Sequence, residues 1–257
     1  MSNFPYSLQR ANILGVHVSA INMYQALRAI DHWIVHREKY YVCVTPAHGV
    51  MECQTQPDLK QIFNSSGLTT PDGMAIVWLL KLMGYHHVSR VYGPDLMLAV
   101  CHRSQEMRYR HFLYGGNPNV PETLALNLQS RFPDLNIVGA YSPPFRPLTV
   151  EEDEKIIETI NQVQPDVVWV GLSTPKQELW MAEHLGKINA PVMIGVGAAF
   201  DFLSGNKKQA PRWVQQIGLE WLFRLSTEPA RLWRRYVQYP VFVLLVLGQL
   251  TGIKKYP

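Results

Sequence analysis

Val167-Val168-Trp169-Val170-Gly171-Leu172-Ser173-Thr174-Pro175-Lys176-Gln177-Glu178 decides how this chain is built. Four apolar residues, three of them β-branched, make a run too short for a helix and suited to a strand buried on both faces. Glycine, serine, threonine and proline then break the run, and a helical pattern follows over 175–185. A strand that ends in small residues and feeds a helix is the repeating unit of a doubly wound α/β sheet. In such sheets ligands sit where strand C-termini meet helix N-termini.

The same alternation extends in both directions. Strands are expected at 13–18, 40–45, 111–114, 137–141, 167–171 and 192–196, with helices at 23–36, 73–83, 94–107, 119–131, 150–163 and 175–185. In the 150–163 segment Val150, Ile156, Ile157, Ile160 and Val163 oppose Glu151, Glu152, Glu154, Lys155 and Glu158. That is one apolar face and one charged face, with Thr149 placed as N-cap and acids in the first turn. The fold class is therefore α/β, with a mainly parallel sheet flanked by helices.

The chain has 257 residues, 47% hydrophobic and only 17% charged, which excludes disorder, collagen and coiled coil as descriptions of the whole. Three scattered cysteines (Cys43, Cys53, Cys101) suit a reducing compartment rather than a disulfide scaffold. Residues 1–10 carry no basic start followed by an apolar run, so no secretory signal is expected. The net charge of +4 is uneven. From Lys207 onward nine Lys or Arg face two acids (Glu220, Glu228), whereas the first 206 residues carry 15 bases and 18 acids. A basic block of this kind meets anions: phosphates, nucleic acid or an acidic membrane.

Several loops pair small residues with a helix start, where backbone N–H groups can approach an anion. They are Thr45-Pro46-Ala47-His48, Thr70-Pro71-Asp72-Gly73, Gly115-Gly116-Asn117-Pro118, the Gly171–Glu178 stretch quoted above, and Gly195-Val196-Gly197. None is a dinucleotide or P-loop fingerprint, because Phe200 stands where a third glycine would be needed. This counts against a nicotinamide enzyme. Asp72 has two readings: a helix N-cap, or a general base taking a proton from a substrate hydroxyl. Partial burial would raise a carboxyl group's pKa toward the second role. No metal site is expected. His32 and His36 have i,i+4 spacing but no third ligand, and His86-His87 reads as a loop pair. No cofactor is called for.

After Gly205 the composition changes, giving a division into an α/β catalytic domain, 1–205, and a basic, aromatic helical appendage, 206–257. Arg212, Arg224, Arg231, Arg234 and Arg235 alternate with Trp213, Trp221, Phe223, Trp233 and Tyr236. The pattern fits a solvated amphipathic surface, nucleic acid or a membrane interface. The uncharged run Val241-Phe242-Val243-Leu244-Leu245-Val246-Leu247 favours the membrane over nucleic acid. It is too short to span a bilayer, which takes about 20 apolar residues. It can dip into one leaflet or pack in a homo-oligomer.

The chain resembles the WecG/TagA/CpsF glycosyltransferases, glycosyltransferase family 26. The resemblance rests on Thr70-Pro71-Asp72-Gly73, Arg90-Val91-Tyr92-Gly93-Pro94-Asp95-Leu96, Gly171-Leu172-Ser173-Thr174-Pro175-Lys176-Gln177-Glu178, Gly195-Val196-Gly197-Ala198-Ala199-Phe200-Asp201 and Gly218-Leu219-Glu220-Trp221-Leu222-Phe223-Arg224-Leu225. It covers residues 13–236. It implies a Rossmann-like fold and inverting, metal-independent transfer of a hexose-type sugar from a UDP-sugar to a sugar on a polyprenyl diphosphate. The products of such enzymes are exopolysaccharide, teichoic acid linkers or common antigen. It also implies peripheral attachment at the cytoplasmic face of the bacterial inner membrane through a C-terminal helical, membrane-associating appendage.

Carried over by motif, Asp72 matches the proposed general base. Thr45 and Arg90 match pocket residues, Gln177 matches a nucleotide-sugar contact, and Arg224, Arg231 and Arg234 match arginines that approach the diphosphate. The loops add His48, Gly73, Gly115, Gly116, Gly171, Pro175 and Lys176 as substrate-binding candidates. Ala47 stands where the family often has Asn, and His48 beside it can replace that hydrogen bond. The departure bears on the sugar, not on the reaction class. The alternative function is a nucleotide-binding membrane adaptor without transferase activity.

Overall fold

The computed structural model describes residues 8–256; residues 1–7, part of the stretch where no secretory signal is expected, lie outside the described residues. In chain order the elements are β1 (Arg10–Ile13), β2 (Val16–Ser19), α1 (Met23–His36), β3 (Tyr40–Thr45), α2 (Ala47–Thr55), α3 (Pro57–Ser65), β4 (Leu68–Pro71), α4 (Met74–Leu82), α5 (Gly93–Met107), β5 (Arg110–Gly115) and α6 (Val120–Arg131). There follow β6 (Asn136–Tyr141), α7 (Val150–Gln162), β7 (Val167–Gly171), α8 (Lys176–His184), β8 (Val192–Gly195), α9 (Ala199–Leu203), α10 (Arg212–Gln216), α11 (Glu220–Thr227), α12 (Pro229–Tyr236) and α13 (Tyr239–Leu250).

Six strands form one parallel sheet in the order β4-β3-β8-β7-β5-β6, Rossmann-like and flanked by helices. Its middle strands are apolar on both faces: all of β8 and the first four residues of β7 are buried. β6 stands at the edge and is only partly covered. Thr149 caps α7 as expected, in a full capping box: its hydroxyl accepts from Glu152 N–H, and the Glu152 carboxylate accepts from Thr149 N–H.

Two compact units divide the chain. The first comprises Tyr24–Cys43 and Gly93–Lys208; the second comprises 8–23, Val44–Tyr92 and 209–256. In the first, β8, β7 and β5 each end on a glycine, whereas β6 ends at Tyr141. In the second, an antiparallel hairpin of β1 and β2 accompanies β4.

The structure departs from the sequence expectation in several places, and it adds two helices, α2 and α3, that the alternation did not predict. The strand expected at 13–18 is broken by Leu14 and Gly15, both at positive φ, into the β1–β2 hairpin, with the Asn12 side chain accepting from Gly15 N–H at 2.7 Å. β4 was not expected, because two threonines interrupt its apolar run. They are buried all the same, and the Thr69 hydroxyl donates to Phe63 O at 2.9 Å. The helical appendage expected over 206–257 is broken at Gly218, at φ +76, where a Cβ would stand 2.6 Å from the Trp78 ring.

Candidate functional site

In the second unit, β3 ends at Thr45 and β4 ends one residue before Asp72. The two strand ends are joined there, since Asp72 N–H donates to Thr45 O at 3.2 Å. Gly73, not Asp72, occupies the N-cap position of α4, with extended backbone. Asp72 thus stands one residue before the cap. Its side chain is 17% exposed and lines an open pocket together with Pro46, Ala47, Arg90, Glu220 and Arg224.

Arg90 organises this pocket. Its Nε donates to the backbone carbonyl of Asp72, and its Nη2 donates to Glu220 Oε2 at 2.6 Å while lying 3.7 Å from Asp72 Oδ1. The guanidinium stacks on the Tyr92 ring at 3.9 Å, and the Tyr92 hydroxyl donates to Glu220 Oε1 at 2.8 Å. Burial pulls the Arg90 pKa down, but the carboxylates of Asp72 and Glu220 outweigh it and hold it above the usual value. Burial, then Glu220 and Asp72, push the Tyr92 phenol up.

His48, on α2, is buried, with Nε2 3.2 Å from Glu52 Oε1. Burial first, then Arg235 and Arg224, lower its pKa to about 4. At neutral pH the contact is therefore between a neutral imidazole and a carboxylate. The tail arginines separate by helix geometry. Leu232 is the buried residue of α12, so Arg235, three positions on, shares its face. Arg231 is drawn to Glu228 at 2.6 Å, and Arg234 is exposed, 5.7 Å from the Trp233 ring centre. Arg235 has its pKa lowered by burial and by the like charges of Arg231 and Arg224. Arg224 itself lines the pocket.

In the first unit the candidate residues are mostly backbone. A Cβ on Gly115 would lie 2.6 Å from the carbonyl carbon of Gly171, and Gly116 N–H donates to Gly171 O at 3.0 Å. Only glycine allows the ends of β5 and β7 to close this tightly. Pro175 is the N-cap residue of α8. Lys176 opens that helix and is exposed, while Gln177 is buried, its Nε2 donating to Glu178 Oε1 at 2.9 Å. A Cβ on Gly195 would lie 3.0 Å from that Nε2, so the carboxamide rests on glycine backbone at the end of β8.

Of the expected residues, Thr45, His48, Asp72, Gly73, Arg90, Arg224, Arg231 and Arg234 belong to the second unit. Gly115, Gly116, Gly171, Pro175, Lys176 and Gln177 belong to the first. Sequence reasoning missed Glu220, Tyr92, Tyr236, Tyr239 and Arg235 as neighbours of the pocket. For Arg235 the signal was present: it lies three residues after Leu232, the one aliphatic side chain among the arginines of α12. Glu220 stood in the sequence as an acid among bases and inside the Gly218–Leu225 motif, with nothing there to pair it with Arg90.

Among the described residues, no group of three or more His, Cys, Asp and Glu is arranged to hold a metal ion, and no helix is long and apolar enough to cross a membrane.

Residues 11–256 match the family model described as Glycosyl transferase WecG/TagA/CpsF family. Curated relatives carry the name N-acetylglucosaminyldiphosphoundecaprenol N-acetyl-beta-D-mannosaminyltransferase. The protein of Bacillus spizizenii is 32% identical over 208 residues, 81% of this chain and 78% of its own. That of Bacillus subtilis is 32% identical over 199 residues, covering 77% and 75%. That of Staphylococcus aureus is 27% identical over 251 residues, covering 96% and 95%. A match over nearly the whole length, on a sheet of the expected class, places this chain in the WecG/TagA/CpsF family of glycosyltransferases.

Proposed function

We propose that the chain is an inverting glycosyltransferase that moves a hexose-type sugar from a UDP-sugar to a sugar carried on a polyprenyl diphosphate, in bacterial cell-surface polysaccharide synthesis. The names of the relatives support a lipid-diphosphate acceptor. Ala47 in the pocket wall leaves more room than the family's Asn would, which bears on which sugar fits.

Asp72 takes the proton of the acceptor hydroxyl. The freed oxygen attacks the anomeric carbon on the face opposite UDP. The bond from that carbon to the phosphate oxygen breaks, and its electron pair leaves with UDP. The negative charge that develops there is met by guanidinium groups, which bind diphosphate bidentately and do the work a metal does elsewhere. The observation that carries this reading is the meeting of Asp72 with Arg90 and Arg224 in a single open pocket, where Glu220 is already bonded to Arg90. The positive charge that Arg224, Arg231 and Arg235 bring to neighbouring positions suits an anionic substrate. Gly115, Gly116, Gly171, Pro175, Lys176 and Gln177 are suited to the donor, and Thr45, His48, Gly73, Arg231 and Arg234 to the rest of the substrates.

Residues 206–257 act as a membrane-associating appendage to a catalytic domain of residues 1–205. α13 buries Phe242 and Val246, and Gln249 accepts from Leu14 N–H and donates to Asn12 O, both at 2.8 Å. Its other faces expose Val241, Val243, Leu244, Leu247 and Leu250, with Trp233 and Val237 exposed just before it. A helix that is apolar all round yet half uncovered suits a lipid surface. Its 12 residues span about 18 Å against a hydrocarbon core of about 30 Å, so it lies in one leaflet. The protein works on the cytoplasmic face, where nucleotide sugars are made.

A panel of UDP-sugars offered with a polyprenyl-diphosphate monosaccharide, read by mass spectrometry, tests the proposal. The expected outcome is one lipid product heavier by one sugar, of inverted anomeric configuration, at a rate unchanged by chelator. Failure of every UDP-sugar to yield a product overturns it.

A further inference from the structure

We propose that Glu220 is a positioning residue for the Asp72 site: it holds the Arg90 guanidinium to itself and so sets how much of that cation's charge Asp72 feels. The inference rests on the reading of Asp72 as the base.

The geometry is unequal. Arg90 Nη2 is 2.6 Å from Glu220 Oε2, a charge-assisted hydrogen bond, but 3.7 Å from Asp72 Oδ1, within ion-pair range only. Glu220 is held in place by its second oxygen, which accepts from the Tyr92 hydroxyl at 2.8 Å, and Tyr92 also carries the guanidinium on its ring. Arg90 is further tied through Nε to the backbone of Asp72 rather than to its carboxylate. One cation is thus shared between two carboxylates, and the nearer is the one on α11. A base that held the arginine by a short bidentate pair would be a weak base. Glu220 prevents this and adds a negative charge that favours the protonated form of its neighbour.

Charged and titratable groups reach the Asp72 pocket from several elements. Arg90 and Tyr92 precede α5, Glu220 and Arg224 come from α11, Tyr236 ends α12 and Tyr239 opens α13. His48, on α2, feels Arg224 and Arg235. Burial raises all three phenols, and His48 titrates near 4. None of these four changes charge near neutrality, so a shift of the rate profile there reports the carboxylates.

The test is the pH dependence of kcat for Glu220→Gln in the full chain, beside Asp72→Asn. With Glu220 neutral, Arg90 turns its whole charge on Asp72. The acid limb is expected to move down by about half a pH unit to one unit, and the plateau to fall about two- to tenfold. KM for the UDP-sugar stays within about twofold of the parent value. Glu220→Asp returns the limb toward its original position. Tyr92→Phe keeps the ring but frees Glu220 Oε1, and it shifts the limb the same way by less; it carries the test alone if Glu220→Gln does not fold. An unmoved limb in a folded variant, with Asp72→Asn inactive, overturns the role of Glu220 and leaves the base intact. Near-normal turnover by Asp72→Asn overturns the base itself, and the inference with it.

Discussion

Three strands of the first unit, β5, β7 and β8, finish on glycine, whereas β4 of the second runs directly into a carboxylate, Asp72. At the ends of β5, β7 and β8 the chain presents Gly115, Gly171 and Gly195: a Cβ on the first would meet the Gly171 main chain, on the second the Phe200 ring and on the third the Met181 side chain, so none has room for a side chain. At the ends of β3 and β4 it presents Thr45 and Asp72, surrounded by Arg90, Glu220 and Arg224. Main-chain N–H groups recognise an anion through geometry that does not titrate. Side-chain charges supply chemistry and pay for it in sensitivity to their neighbours. A fold that needs both a phosphate grip and a proton acceptor can thus keep them in separate hands.

The comparison breaks most sharply at Asp72. Asp72→Asn should lower turnover by about a hundred- to ten-thousandfold, with donor affinity by calorimetry within about twofold; a modest loss would remove the chemical distinction between the units. Within α13, Phe242→Ala should destabilise the protein by about 3 kcal/mol in urea titration, because Phe242 is only 5% exposed. Leu244→Ser, at a position 68% exposed, should change stability by less than about 0.5 kcal/mol while weakening binding to anionic vesicles about tenfold. In the first unit, Gly115→Ala should cost about 2 kcal/mol through the collision with Gly171. Gly186→Ala, where φ is +93 but nothing lies within 4 Å, should cost about 1 kcal/mol from backbone strain alone. Equal costs would mean that the tight closure of β5 on β7 carries no energy.

The smallest effect separates two buried histidines. His111, in the first unit, has its pKa pulled down to about 3 by burial, and its Nδ1 accepts from Trp169 Nε1–H at 2.9 Å. His48 is lowered by burial and, in addition, by Arg235 and Arg224. Both native values lie below that of the unfolded chain, about 6.5. Between that value and about pH 4 the unfolded state binds protons that the native state does not. Stability is therefore lost as pH falls through this window. Arg235→Ala should let the His48 ring titrate at higher pH, followed by NMR, while His111 stays where it is. Arg234→Ala, on the exposed face, should move neither.

The alternation of short apolar runs with amphipathic segments made the parallel sheet legible, because buried parallel strands and their covering helices leave distinct periods in a sequence. Thr149 announced its capping box in the same way, through local chemistry. β4 escaped because two threonines that bond inside the protein look like solvent-facing residues. The break between α10 and α11 escaped because the approach of Trp78 to Gly218 is a tertiary fact.

The site divides likewise. Asp72, Arg90 and Arg224 could be picked out by residue type and by motif. The order of charges around Arg90 could not, since Glu220 lies 130 residues further along the chain. The layers of the fold, the composition of the strand ends and the apolar last segment are legible residue by residue along the chain, because each depends on near neighbours. Packing in three dimensions was needed to show which carboxylate holds Arg90 and which faces of α13 are left uncovered. Those are set by distances across the chain, and electrostatic and packing energies depend on distance in space rather than on position in sequence.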